Sequence, residues 1–563
     1  MQSPIKKTFG KLLLEAGMVT EEQLSEAIEE QKKSGKKLGE VLKEKGYISQ
    51  EDIIQVLEFQ LGIPHLNLER IDIDEEAVKK IPENIAKRHG IIPVKINENK
   101  IVLAMSDPLN IFAIDDVKIY TGMDVIPNIA SVDDINKAIT KFYSKQEAVL
   151  VAEQFTKEIG IDIKADEDLD EMVNSAPIVK LVNSIIEQAI KSRASDIHIE
   201  PQENYIKVRC RVDGQLQEMM KQDVRLLPAI VTRIKITGNM DIAEKRIPQD
   251  GRMTTTVDGN VYDLRLSVLP TIYGEKTVIR ITSKTSFVKD KSQLGFYPDD
   301  MEKFSSILQN PHGIILVTGP TGSGKSTTLY AAVKDLNKAD VNIITVEDPV
   351  ESKIEGINQV QVNTKAGLTF ASALRSILRQ DPDIILVGEI RDGETANIAI
   401  SAAITGHLVL STLHTNDAPS SISRLADMGI EPFLIGSSVV GILAQRLVRR
   451  NCPKCSEEYT PDSYQKKILK EVNIQNVDSI KLVKGTGCAY CAHTGYRGRL
   501  GVYEIMTITP KIRELINTGA NASAIKQAAI EEGMITLKSN CARLVMDGKT
   551  TIDEMLRVAF SVE

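Results

Sequence analysis

The octapeptide Gly319-Pro320-Thr321-Gly322-Ser323-Gly324-Lys325-Ser326 constrains this chain more than any other stretch. It meets G-x-x-x-x-G-K-[ST] at every fixed position, and its flanks supply the context that pattern needs. The apolar run 313–318 before it reads as a buried strand. Residues 327–333 after it hold no Gly or Pro and read as a helix. A strand that enters a helix through a glycine loop turns backbone N–H groups inward, where they and the helix N-terminus bind phosphate oxygens. Gly319, Pro320, Thr321, Gly322, Ser323, Gly324, Lys325, Ser326 and Thr327 are the expected ATP-binding residues. The Lys325 amine is expected on the β- and γ-phosphates and the Ser326 hydroxyl on Mg²⁺.

Three later apolar runs fit further strands of a parallel sheet. Residues 341–346 end in Glu347-Asp348-Pro349, 383–388 in Glu389-Ile390-Arg391-Asp392, and 407–412 in Leu413-His414-Thr415-Asn416. Each sets polar groups at the carboxyl end of a strand, where open α/β sheets bind ligands. Phosphoryl transfer needs a phosphate cradle, a metal, an oriented water and positive charge beside the leaving phosphate. Glu389 follows Gly388, where an aspartate is usual, and so is the acid expected to hold Mg²⁺ or to orient the attacking water. Glu347 competes for the second task. His407, at a strand start, is read as a sensor of the γ-phosphate, with a packed, hydrogen-bonded histidine as the alternative; His414 is a further candidate. For the positive charge, the loop-bearing region offers Arg375, Arg379 and Arg391, and the preceding region is dense in arginine: Arg209, Arg211, Arg225, Arg233, Arg246, Arg252, Arg265 and Arg280. His198, in an alternating strand pattern there, reads as a packed histidine before a ligand.

At 563 residues the chain exceeds a single hydrophobic core and calls for roughly three to five domains. A formal net charge of −8, no Trp and 4% aromatic residues argue against a nucleic-acid partner. No run approaches the roughly 18–20 apolar residues of a membrane span, and the N-terminus lacks the apolar core of a signal peptide. A cytoplasmic protein is expected, with any membrane role reached through partners. Of six cysteines, Cys452, Cys455, Cys488 and Cys491 form two C-x-x-C pairs, while Cys210 and Cys541 stand alone. Two such pairs fit one tetrahedral zinc ion, structural because four thiolates leave no position for water. A dithiol redox pair is the alternative.

An internal repeat occupies residues 8–60. Gly10, Leu13, Gly17, Leu24, Ile28 and Gln31 recur 29 residues later as Gly39, Leu42, Gly46, Ile53, Leu57 and Gln60. Each copy reads as a helical hairpin, and Thr20-x-x-Gln23 is a capping box. The repeat resembles the tandem motif of cyclic di-GMP-binding domains on bacterial secretion and pilus ATPases. Thr8-Phe9-Gly10 and Lys37-Leu38-Gly39 stand where that motif has Arg-Leu-Gly, so the Arg is absent from both copies. The resemblance implies ligand contacts from Thr8, Phe9, Gly10, Leu13, Gly17, Leu24, Gln31, Lys37, Leu38, Gly39, Leu42, Gly46 and Gln60.

The glycine loop, the acidic box 344–351, the 383–389 strand with its Gly388-Glu389 end and the histidine box 405–416 together resemble the type II/type IV pilus secretion ATPases. Segments 195–201 and 246–252 add to the match, which is nearest to the pilus extension ATPases. The resemblance implies an α/β multidomain protein. Its expected parts are a tandem helical repeat (1–62), an α/β docking module (63–143), an acidic linker (144–173) and an arginine-rich PAS-like domain (174–285). A RecA-like P-loop ATPase core (286–446), a tetracysteine zinc module (447–500) and a helical C-terminal region (501–563) complete the order. It further implies a homo-hexamer that works on an inner-membrane platform protein beside other pilus-base proteins, with Arg209 and Arg225, and Arg211 close behind, completing the nucleotide site. A type II secretion motor is the alternative. A pilus retraction motor fits less well, because that group lacks the long N-terminal region and the tetracysteine insert. A cyclic-dinucleotide-sensing scaffold that does not hydrolyse ATP stands further off.

Overall fold

The computed structural model describes residues 10, 13–14, 16–34, 38–49, 58, 62–68, 71–108, 110–139, 142–143, 176–283, 289–472 and 474–559. The chain forms two compact units, one carrying the N-terminal region through Ile185 and the other most of the chain beyond it. No helix among the described residues is long and apolar enough to cross a membrane.

The N-terminal unit opens with the helices Glu21–Ser34 and Leu38–Glu44. The capping box forms: the Thr20 N–H donates to Gln23 Oε1 at 2.9 Å, and the Gln23 N–H to Thr20 Oγ1 at 3.2 Å. Leu13, Leu24 and Leu42 join Val19, Ala27, Val41 and Ile48 in a small core. Gly17 and Gly46 take φ of +68° and +73°, the left-handed turn that each hairpin requires. Of the remaining repeat positions, Gly10 is buried and Gln31, Leu38 and Gly39 are half-buried. Thr8, Phe9, Lys37 and Gln60, with the 144–173 linker, lie outside the described residues. The α/β module comes next as β1 (Ile91–Asn97), β2 (Lys100–Met105), the helix Ile111–Thr121 and β3 (Asp124–Ile129). Strand β2 is central, antiparallel to β1 and parallel to β3.

The larger unit contains two main sheets. A six-stranded antiparallel sheet orders β4 (Ala194–Pro201), β5 (Tyr205–Val212), β6 (Gln215–Asp223), β7 (Gln249–Val257), β8 (Asn260–Thr271) and β9 (Gly274–Ser283) as β6-β5-β4-β9-β8-β7. The second sheet holds β10 (Gly313–Thr318), β11 (Ile343–Glu347), β12 (Asn358–Gln361), β13 (Ile384–Val387) and β14 (Leu408–Leu413) in parallel. Every residue of β10, β11, β13 and β14 is buried, as continuous apolar runs covered on both faces should be.

β15 (Val439–Asn451) extends this sheet parallel to β10, a small two-stranded antiparallel sheet of β16 (Ser456–Tyr459) and β17 (Leu482–Gly485) comes after it, and β18 (Tyr496–Thr507) closes the edge antiparallel to β15. The order is β12-β11-β13-β14-β10-β15-β18. The boundaries expected at 446/447 and 500/501 therefore fall inside strands. The basic run from Arg446 to Arg450 gave no sign of a sheet because what accommodates it is distant in the chain: Arg449 grips the buried Glu554 at 2.8 Å, and Arg446 turns inward. Four helices (Pro510–Asn517, Ala522–Glu531, Leu537–Met546 and Ile552–Ala559) complete the chain.

Candidate functional site

The glycine loop lies at the carboxyl end of β10, between that strand and the helix Lys325–Leu336. Gly319, Gly322 and Gly324 take φ of +148°, +79° and +90°. Space reinforces the conformational requirement at the first and last of these. A Cβ on Gly319 would fall 2.5 Å from the Gln445 carbonyl oxygen, and one on Gly324 would fall 2.8 Å from Gln445 Nε2. The Lys325 ammonium donates to the carbonyls of Gly319 (2.8 Å) and Pro320 (3.2 Å). Burial pushes its pKa down to about 8, with the Glu389 charge opposing the shift and Arg446 adding to it. Thr318 closes the strand with a hydroxyl pair to Thr415 Oγ1 at 2.6 Å and accepts the Thr415 N–H at 2.9 Å. This ties the loop to the histidine-box segment that follows β14.

The two acids differ in setting. Glu389 follows β13, its side chain 17% exposed, paired with the Arg391 guanidinium and 3.5 Å from His414 Nε2. Its charge reaches Lys325. Glu347, the last residue of β11, is 4% exposed. Oε2 accepts from the Tyr330 hydroxyl, while Oε1 accepts from Thr345 Oγ1 at 2.6 Å and Gln359 Nε2 at 3.2 Å. Tyr330 lies on the helix that the glycine loop starts, so loop and acid share one support.

His407 is not brought to this place. It precedes β14, level with Gly313 at the start of β10, whereas the loop leaves the other end of that strand beside Leu413. Its Nδ1 lies 2.9 Å from the Ala402 carbonyl, which closes the preceding helix. The parallel direction of the strands separates it from the loop; the box histidine at the carboxyl end is His414.

The arginines also sort by register. Arg211 (β5), Asp196 (β4), Arg280 (β9), Arg265 (β8) and Arg252 (β7) stand opposite one another across five strands. Directly opposed residues share a face, so this row sets four guanidiniums against one carboxylate. Arg252, Arg265 and Arg280 line a cavity of about 430 Å³ with Asp250 and Ser267. Arg265 Nη2 reaches Glu351, in the segment after Glu347, at 2.7 Å. Arg209, one row away, is held by Glu200 through two bonds of 2.8 and 2.9 Å. Arg225 lies outside the rows and is clamped by Asp223, two residues away, at 2.7 Å. Within the core, Arg375 pairs with Glu394 and Arg379 bonds the Arg375 carbonyl, both at 2.7 Å. Sequence position favoured Arg209 and Arg225; strand register instead sets Arg265 and Arg280 in one row with Arg211 and Arg252. Tyr330, Gln359, Gln445 and Arg446 carried no sequence signal because their partners are distant in the chain.

The sulfurs of Cys452, Cys455, Cys488 and Cys491 all lie within 4.8 Å of one another. The Cys488 and Cys491 sulfurs are 3.7 Å apart. Four sulfurs about 2.3 Å from one tetrahedral zinc have edges of about 3.8 Å, so the cluster fits that ion.

A model of the type II/IV secretion system protein family matches residues 171–557. This chain belongs to that family. A second model, the MshEN domain, matches residues 61–149. The type IV pilus assembly ATPase PilB of Myxococcus xanthus is 44% identical over 97% of this chain and 98% of its own length. The type II secretion system protein E of Xanthomonas campestris is 41% identical over 97% of each. The solved ATPase DotB of Yersinia pseudotuberculosis shares the fold, with a TM-score of 0.51 and 20% identity over 68% of this chain and 94% of that one. The chain is thus an ATP-hydrolysing enzyme of the secretion class, and ATP with Mg²⁺ is the chemistry its loop fits.

Proposed function

We propose that this chain is a hexameric motor that spends ATP on type IV pilus assembly. It would work at the cytoplasmic face of the inner membrane, on a platform protein and with other cytoplasmic proteins of the pilus base. The observation that carries the reading is the end-to-end similarity to the pilus assembly ATPase of Myxococcus xanthus, N-terminal region included. In this reading residues 319–327 bind ATP, and Ser326 and Glu389 would hold Mg²⁺, which would supply positive charge to the phosphates. Glu389, beside Lys325 and His414, orients the attacking water. Glu347, committed to three side-chain donors, positions the acidic box. Domain and subunit closure brings the arginine row to the phosphates, with Arg265 and Arg280 joining Arg211 in the part that sequence position gives to Arg209, Arg211 and Arg225. The four cysteines hold a structural zinc, and the N-terminal repeat binds cyclic di-GMP.

A type II secretion motor is the second reading, favoured by the similarity to the Xanthomonas protein over the same span. A scaffold without turnover is disfavoured by the intact Lys325, Glu347 and Glu389. Complementation decides: the chain is returned to a strain lacking it, beside its Lys325→Ala form, and surface pili and secreted protein are measured together. Pili restored by the first form alone are expected. Restored secretion without pili overturns the assembly reading.

A further inference from the structure

We infer that Arg446 is a positioning charge for the nucleotide: a buried cation behind the glycine loop that acts on the phosphates through the loop rather than by touching them. The inference rests on residues 319–327 being the ATP site. Arg446 is 4% exposed. Nη2 donates to the Asn416 carbonyl at 2.8 Å and Nη1 to the Gln445 carbonyl at 3.1 Å. Nε is buried with no acceptor. Arg446 forms no salt bridge among the described residues; Glu504 and Asp417 face it only at longer range.

Both of these carboxylates are engaged elsewhere. Glu504 accepts the N–H groups of Ala418 (2.8 Å) and Leu537 (3.1 Å). Asp417 takes the Ser420 hydroxyl and the Lys526 ammonium, the latter at 3.1 Å. A buried cation without a direct counter-ion is costly, and an arriving anion would offset that cost. The anion's place is given by Gly319: a Cβ there would lie 3.1 Å from Arg446 Nη1, so the guanidinium backs the first residue of the phosphate loop. Asn416 adjoins Thr415, which is bonded to Thr318. The same side chain therefore braces both walls of the site.

A charge acting through the loop discriminates by ligand charge. At a separation of about 8 Å and an effective dielectric constant of about 20, one unit of ligand charge changes affinity about 30-fold. The test measures ADP and AMP-PNP affinities of the full chain in EDTA, for the natural protein and for Arg446→Met and Arg446→Lys. Arg446→Met is expected to weaken AMP-PNP about 30-fold more than ADP. Arg446→Lys keeps the charge and loses the planar fork; it is expected to hold the AMP-PNP to ADP ratio within about threefold. Equal losses for both ligands in Arg446→Met, or a ratio as low in Arg446→Lys as in Arg446→Met, reduce Arg446 to a brace and overturn the inference. If Arg446→Met does not fold, Arg446→Lys decides alone, since a role in hydrogen-bond geometry predicts loss and a charge role predicts retention. A natural chain that binds neither ligand refutes the nucleotide site itself, which separates that failure from this one.

Discussion

Removing one oxygen tests whether loop and acid form one machine. Tyr330 is 2% exposed, on the helix that the glycine loop starts. Its hydroxyl donates to Glu347 Oε2 and accepts the N–H groups of Glu351 at 3.1 Å and Ser352 at 3.4 Å. Tyr330→Phe keeps the ring and its packing. It deletes a charge-assisted hydrogen bond, worth about 1.5–3 kcal/mol, and leaves the Glu351 N–H without the bond the hydroxyl gave it, for about 1 kcal/mol more. The Ser352 contact is too long to count. Glu347 then keeps two donors, both on Oε1, and its Oε2 is no longer fixed. If about 2.5–4 kcal/mol of this positioning is felt in the transition state, kcat falls about 60- to 700-fold at roughly 1.4 kcal/mol per tenfold. The loop bonds of Lys325 are untouched, so KM and ADP affinity should stay within about threefold. Phosphate release at saturating ATP, with ADP binding alongside, reads both. Adding Tyr330→Phe to Glu347→Gln should cost little more than Glu347→Gln alone, because both act through one carboxylate. A kcat within threefold of the natural protein, or a double variant in which the two losses add in full, refutes the reasoning.

Arg265→Gln and Arg280→Gln are expected to lower kcat by about 10³ each, whereas Arg225→Gln, which breaks only a local clamp, should stay within about threefold in the same phosphate-release assay. About one zinc per chain is expected by colorimetric assay of the denatured protein; Cys452→Ser should lose it and lower the melting temperature, since such sites contribute on the order of 10 kcal/mol to local folding. Turnover per subunit should rise steeply with protein concentration until assembly is complete, and turnover per subunit that is constant from the monomer upward would exclude a shared site. Calorimetry of the full chain with cyclic di-GMP should show binding that Gly10→Arg abolishes; no heat at high ligand concentration would leave the repeat a helical bundle.

The glycine loop was legible because phosphate binding by backbone demands glycine at fixed places, and both steric tests, at Gly319 and Gly324, bear on positions the motif names. The cysteines were legible because a tetrahedral ion demands short pairs. The parallel strands announced themselves as unbroken apolar runs. What stayed hidden depends on long-range pairing. Arg265 and Arg280 look like Arg209 and Arg225 until strand register aligns them in one row. Tyr330 reads as an ordinary core aromatic, because the acid it supports lies on another strand. The end of β15 was lost because three arginines in five residues look solvated, and only Glu554, about a hundred residues on, explains one of them. The misplacement of His407 was avoidable: a histidine that starts a strand of a parallel sheet lies at the opposite end from a loop that leaves one.

β15 has a mechanical consequence. It lies against β10 with Ala444 level with Thr318, at the root of the loop, and then runs on, with one register shift between Arg449 and Asn451, to the residue before the first cysteine. Eight residues of extended chain from Ala444 to Cys452 span about 26 Å. The strand is clamped on its far side by β18 along ten paired positions, which stiffens it against bending. It is a lever with its fulcrum under the phosphate loop. A tilt of about 10° at that fulcrum displaces the cysteine cluster by about 5 Å. In this geometry the cysteine cluster stands at the end of the strand where a tilt at the loop would be largest.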